Sequence, residues 1–327
     1  MAFESFAGNA KLKENLISQL RANKLPHAII IQGEKGLGKK TLAKLIAAGL
    51  LCGAEDNPCG RCTVCKNVLK NNHPDVLYYK KDKASVFSVE LLRKIRALAF
   101  VLPNQSDYKI FILDEADYMN ESAQNAFLKI LEEPPSYAVF IMLCEHKNNM
   151  LDTILSRSTV FTLEPVSNDE AVAYLSAHMP ETDIEDIRKT AEYTGGNIGK
   201  IIDNLSNEDM LLANETAENI ADALLAERSF DLLKAMAPFD KDRKLFKNTL
   251  LPLRTIIRNA LVLRCGGEQN KAAGYEKSRL LSKRFTKKQL FRMIEVTEAA
   301  DEAIERFINH QLLITKFCAD LHTAAGF

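Results

Sequence analysis

The sequence predicts an α/β domain built on a parallel sheet, followed by a small helical domain and then a larger all-α domain. Three observations carry this. Short continuous apolar runs at His27–Gln32, Lys109–Asp114 and Tyr137–Cys144 alternate with helical patterns as far as Glu164-Pro165. Strands of that kind, buried on both faces and separated by helices, belong to parallel sheets. Beyond Pro165 no strand pattern recurs, and helices and turns continue to the last residue. With 327 residues, at ~100–200 per domain, two or three domains are expected. The boundaries fall at residues 1–165, 166–207 and 208–327.

Leu12, Leu16, Ile17 and Leu20 follow helical spacing and open the chain with an amphipathic helix. The strand at His27–Gln32 runs into a glycine-rich turn, and Thr41–Leu51 reads as a helix. Another helix starts near Ser88, with Leu91, Leu92, Ile95 and Leu98 on one face, and stops before Pro103. Asn120–Glu132 is a helix ended by Pro134-Pro135. In the second domain Asp169–Met179, Ile184–Tyr193 and Ile198–Leu205 read as three short helices around Gly195-Gly196. The final stretch starts at Thr286-Lys-Lys-Gln289, a capping-box pattern, and carries Leu290, Met293, Ile294, Ile304, Phe307 and Ile308.

The 43 basic and 43 acidic side chains cancel, which argues against a protein that grips nucleic acid alone, since counterion release needs a concentrated basic surface. No apolar run reaches the ~18 residues of a membrane span, and the opening residues lack a signal-peptide core, so a cytoplasmic protein with no membrane partner is expected. The neutrality hides two blocks. Residues 181–240 hold 14 acidic and 5 basic side chains, and residues 241–290 hold 14 basic and 3 acidic. Such blocks either solvate helix faces or pair with complementary patches on neighbours.

Gly33-Glu-Lys-Gly36-Leu-Gly38-Lys39 stands where a strand gives way to a helix, the context in which backbone amides and a lysine cradle phosphates. The motif next requires Ser or Thr for magnesium, and here that residue is Lys40. Thr41 follows, but one helical step rotates a side chain by ~100°, away from the metal position. Phe111-Ile-Leu-Asp114-Glu115 has the form of an apolar strand ending in a metal-binding Asp and a water-orienting Glu, although two carboxylates there also suit helix capping. A degenerate nucleotide site results, and whether ATP or ADP occupies it stays open.

Cys52-x6-Cys59-x2-Cys62-x2-Cys65 places four of the seven cysteines in fourteen residues. This spacing suits a closed, structural zinc site of four thiolates, a knuckle at 52–65. An iron–sulfur cluster shares the ligand set, whereas a disulfide is disfavoured in a reducing compartment.

Leu25-Pro-His-Ala28, the phosphate loop, the cysteine insertion, Leu113-Asp-Glu-Ala-Asp117, Asn125-Ala-Phe-Leu-Lys-Ile-Leu-Glu-Glu-Pro-Pro135 and Ser156-Arg157-Ser158 occur in that order. Together they resemble the AAA+ clamp-loader subunits of bacterial DNA polymerase III over about residues 1–205. The resemblance implies an AAA+ P-loop domain with a zinc-knuckle insertion, a helical lid and an all-α collar. It also implies a five-subunit ring with gamma/tau and delta subunits that loads a sliding clamp onto primed DNA. Within that family the motor subunit hydrolyses ATP. It would carry Thr or Ser in place of Lys40, a polar Thr pair at Cys144-Glu145, and an arginine where Gly199 stands. These departures favour a non-motor member. Arg157 then matches an arginine finger delivered in trans, with Ser158 in place of the family's cysteine. The motor ATPase is the alternative within the family. A zinc-containing nucleic-acid-binding module is the alternative outside it, weakened because the segment 52–65 offers only Arg61 and no aromatic.

Overall fold

Among the described residues five strands form one sheet in the order β2-β3-β4-β1-β5, every neighbouring pair parallel. They are β1 (Ala28–Gln32), β2 (Val76–Lys80), β3 (Lys109–Asp114), β4 (Ala138–Cys144) and β5 (Thr159–Thr162). The structure is a computed structural model that describes residues 2–81, 87–226, 229–267, 275–306 and 309–327. The three inner strands are the apolar runs read from the sequence, while β2 and β5 add two strands that the sequence pattern left unassigned. Both are edge strands and only half-buried, so neither presents a continuous apolar run.

Helices cover both faces of the sheet. Ile29 and Ile31 of β1 and Ile110 and Ile112 of β3 pack with α1 (Ala10–Arg21), α2 (Lys39–Leu51) and α3 (Thr63–Leu69) through Leu16, Leu42, Ile46 and Val68. Ile30, Phe111 and Phe140 point the other way, onto α4 (Val89–Ala99) and α5 (Glu121–Glu132). There Phe111 stacks on Phe140 at 5.1 Å and Phe127 meets the same ring edge-on at 5.5 Å. Local signals set the ends of these helices. Ser88 caps α4 through the amide of Leu91, and Asn120 caps α5 through that of Ala123. Between β4 and β5 runs the short α6 (Asp152–Leu155).

The remaining helices are α7 (Asn168–His178), α8 (Ile184–Thr194), α9 (Ile198–Leu205), α10 (Glu208–Leu225), α11 (Ser229–Met236), α12 (Arg243–Arg264), α13 (Tyr275–Arg284), α14 (Lys287–Glu305) and α15 (His310–Ala325). The capping box at Thr286 and Gln289 is present, with both reciprocal hydrogen bonds. The final stretch that starts at Thr286 contains α14 and α15. Phe307 and Ile308, placed on it by periodicity, lie outside the described residues.

The chain divides into two compact units, residues 1–170 with 197–199, and residues 171–196 with 200–327. The second unit has its own core, in which Phe246 contacts Phe239 and Phe317 at 5.0 and 5.3 Å. Two ion pairs join the acidic block to the basic block inside this unit: Lys244 to Asp209, and Lys277 to Asp222.

Candidate functional site

The glycine-rich loop follows β1 and leads into α2, at the carboxyl end of the strands. Gly36 and Gly38 take φ values of 95° and 85°, open to glycine at little cost. Gly38 also lies so close to the ring of Phe6 that a Cβ would stand 2.9 Å from it. The loop is tethered from two sides within the first unit. Gly33 donates its N–H to Cys144 at 3.1 Å, and Gly36 accepts from the amide of Gly199 at 2.9 Å. Asn197 reinforces the second tether by donating its side-chain amide to Lys35 O at 2.9 Å.

Lys39 turns back onto its own loop, donating to the carbonyls of Gly33 and Glu34. Burial lowers its basicity, opposed by Glu145, Cys144, Asp117 and Asp114. Lys40 reaches the end of β3, where its Nζ lies 2.8 Å from Asp114 Oδ2. The same oxygen accepts from Tyr78 of β2 at 2.6 Å, and burial together with Asp114 holds the Tyr78 phenol far above its ordinary range. Glu115 has a left-handed backbone (φ 58°) and lies 3.7 Å from Lys80 and 3.9 Å from Lys81. Thr41 is exposed on α2. Cys144 ends β4 between β1 and β3, and burial pushes its thiol up to about 12.

The four cysteines of residues 52–65 converge. Their sulfurs all lie within 4.8 Å of one another, and Cys59 and Cys65 are 4.0 Å apart. A tetrahedral zinc–sulfur shell with ~2.3 Å bonds has edges of ~3.8 Å, so the donor set fits that ion. Two backbone amides also point at sulfur, Cys62 N–H to Cys59 Sγ and Cys65 N–H to Cys62 Sγ, both at 3.4 Å. Amides from Cys62 and Arg61 lower the Cys59 thiol to about 6, whereas burial raises Cys65. His73 is buried beside Pro74, accepts the amide of Asp75 and stands outside the thiol cluster.

Arg157 follows α6 and precedes β5. Its guanidinium donates to Thr153 O at 3.1 Å and pairs with Glu132 at 3.3 Å. Because Thr159 is paired with Ile29 at the start of β1, Arg157 belongs to the amino end of the sheet. The phosphate loop begins at Gly33, past the carboxyl end of β1. Four strand residues separate the two levels, at least about 13 Å.

Several residues that organise this region carry no motif. Gln124 donates to Met119 O and Asn149 O and accepts from Leu151 N–H, so one buried amide fixes the segment leading to α6. Asp117 accepts the amides of Glu145 and His146 and holds the turn after β4. Buried side-chain amides and carboxylates of this sort are recognised only once the backbone groups they satisfy are located.

A parallel sheet with a glycine-rich phosphate-type loop and an Asp-Glu pair at its carboxyl edge defines the class of P-loop α/β domains. Residues 8–167 match the family described as DNA polymerase III, delta subunit. Over these residues the chain is similar to DNA polymerase III delta-subunit domains, and gamma and tau subunits are among its relatives. The gamma subunit of Buchnera aphidicola is 29% identical over 263 residues, covering 78% of this chain and 71% of that one. The tau subunit of Bacillus subtilis is 25% identical over 355 residues, covering 99% and 62%. The gamma/tau subunit of Mycobacterium tuberculosis is 35% identical over 159 residues, covering 48% and 28%. The chain thus spans between about a quarter and seven tenths of the length of these relatives. Among solved structures, a gamma-subunit-related protein of Thermotoga maritima aligns with 95% of this chain and 99% of its own, at 17% identity and a TM-score of 0.44.

Proposed function

We propose that this chain is a delta-prime-type, non-motor subunit of the DNA polymerase III clamp loader. It does not turn over ATP itself and offers Arg157 to the nucleotide of an adjoining motor subunit. The observation that supports this reading is the place of Arg157 at the opposite end of the sheet from the chain's own phosphate loop, the position expected of a group that serves a neighbour's phosphate. A guanidinium supplied in trans neutralises charge developing on the transferred phosphoryl group, worth ~10³–10⁵ in rate in comparable systems.

In this reading residues 166–207 form the lid and residues 208–327 the collar of a five-membered ring with gamma/tau and delta subunits. The ring loads the sliding clamp onto primed DNA. Cys52, Cys59, Cys62 and Cys65 would hold one structural zinc ion that staples the segment between α2 and α3; its shell of four thiolates leaves no open position for catalysis. The names of the relatives favour a second reading, a gamma/tau-type motor ATPase. That reading requires magnesium at Asp114, where the ammonium of Lys40 lies.

The test is reconstitution with motor and delta subunits. Arg157→Ala leaves assembly intact but lowers DNA-stimulated ATP turnover and clamp loading, and unchanged loading removes the assignment. The isolated chain releases no phosphate above background; release abolished by Lys39→Ala establishes the motor reading instead.

A further inference from the structure

Asp114 ends β3 as a carboxylate that is only 3% exposed. A buried charge of this kind must be answered by an opposite charge and by hydrogen bonds, or the group is expelled or neutralised. Both answers come from the chain and meet on one oxygen: the ammonium of Lys40 and the phenol of Tyr78. The neighbouring Glu115 is flanked more loosely by Lys80 at 3.7 Å and Lys81 at 3.9 Å, one at each carboxylate oxygen. Lys39, the residue that would reach a terminal phosphate, is bonded to loop carbonyls.

In a magnesium-using phosphate loop, the hydroxyl at the position of Lys40 and the carboxylate at the position of Asp114 hold the cation between them. Here the cation comes from that position itself. We propose that Lys40 is a covalently tethered replacement for magnesium, which joins the first turn of α2 to the end of β3 and holds this half of the domain rigid without metal or nucleotide.

An ordinary surface ion pair joins two hydrated groups and contributes little. This pair differs, because the Lys40 side chain is 52% exposed while that of Asp114 is 4% exposed. Removing the ammonium therefore leaves a buried carboxylate whose side-chain hydrogen bond among the described residues is the one from Tyr78, a costly state. A divalent ion arriving at Asp114 would also meet the Lys40 charge beside it, so the arrangement closes the metal position electrostatically. The inference rests on residues 33–39 being a phosphate loop without turnover and makes no use of Arg157.

The experiment is thermal unfolding of the 327-residue chain and its Lys40→Met, Lys40→Arg, Lys40→Thr, Asp114→Asn and Lys40→Met/Asp114→Asn variants, each with ADP and either magnesium or a chelator. Lys40→Met is expected to lower the midpoint by about 3–6 °C and Lys40→Arg to retain most of it. The double variant is expected to lose clearly less than the two single losses combined. The wild-type midpoint is the same with magnesium and with chelator, whereas Lys40→Thr gains a magnesium-dependent rise. Additive single losses, or a magnesium-dependent rise in the wild type, overturn the proposal. Failure of the wider reading is separate, since it shows as phosphate release by the wild-type chain.

Discussion

The amide of Gly199 donates to the carbonyl of Gly36 at 2.9 Å, and a Cβ built on Gly199 would stand 2.5 Å from Gly36 Cα and 2.6 Å from its oxygen. Gly199 belongs to the first turn of α9, where alanine would ordinarily be favoured by about 0.5–1 kcal/mol. The overlap is with backbone, which cannot swing aside, and overpacking of that kind costs about 1–3 kcal/mol. Gly199→Ala is therefore expected to destabilise the chain despite its better helix propensity. Hydrogen exchange should quicken at residues 33–38, and a more stable variant with unchanged exchange would sink the tether. The arginine implied by the resemblance to motor subunits has no room at this position.

For the thiol cluster, metal analysis of the purified chain is expected to find about one zinc per molecule, with four of the seven cysteines shielded from thiol reagents. Cys65→Ser removes a ligand that is fully buried and should release the ion and expose α3 to protease. A metal-free chain that resists protease equally well would contradict the assignment.

Asp75 is fully buried and accepts the amides of Asn104 at 2.6 Å and Gln105 at 2.9 Å. Burial works to raise its carboxyl, but these hydrogen bonds prevail and hold it below the ordinary 3.8. A depressed carboxyl contributes stability above its unfolded value and loses it as the pH falls through the folded one, so the contribution is complete at neutral pH and lost below about pH 3.8. The bonds brace a loop on which Phe100, Val101 and Leu102 are exposed, and Lys109 holds the Val101 carbonyl from below at 3.1 Å. Asp75→Asn should cost about 1–3 kcal/mol at pH 7 by denaturant titration. A smaller loss at pH 7 than at pH 3 would refute it.

Glu192 has the opposite sign. Burial, with Glu185 adding and Arg188 opposing, raises its carboxyl from 4.5 to about 8, and its Oε2 is buried without a hydrogen-bond partner. The folded chain therefore keeps a proton that the unfolded chain has released, and this group penalises folding increasingly as the pH rises from 4.5 to 8. Glu192→Gln should remove that slope and, once the shift is discounted for solvent screening of a half-exposed group, stabilise the chain by about 1–2 kcal/mol at pH 8 while leaving pH 4 unchanged. An equal gain at both pH values would show that the carboxyl titrates normally.

Much of the site was legible one residue at a time. The inner strands β1, β3 and β4 announce themselves as apolar runs because both of their faces are buried, and Ser88, Asn120 and Thr286 mark helix starts because capping is local. The cysteine spacing anticipated the sulfur cluster for the same reason, since its members lie within one short segment. The edge strands β2 and β5 escaped because a half-buried strand of four or five residues lacks a pattern of its own. With β2 went Tyr78, and with it the second partner of Asp114.

The charges show the division most clearly. In the sequence Lys40 is a misplaced positive charge beside a phosphate loop, and the blocks at 181–240 and 241–290 are opposite runs without assigned partners. In the fold Lys40 meets Asp114, and lysines of the basic block meet Asp209 and Asp222 of the acidic one. Residue order alone specified which elements form and which residue types each presents, because those follow from neighbours within a turn or a strand. Tertiary structure decided which charge answers which, because strand order β2-β3-β4-β1 and helix packing bring together groups tens of residues apart.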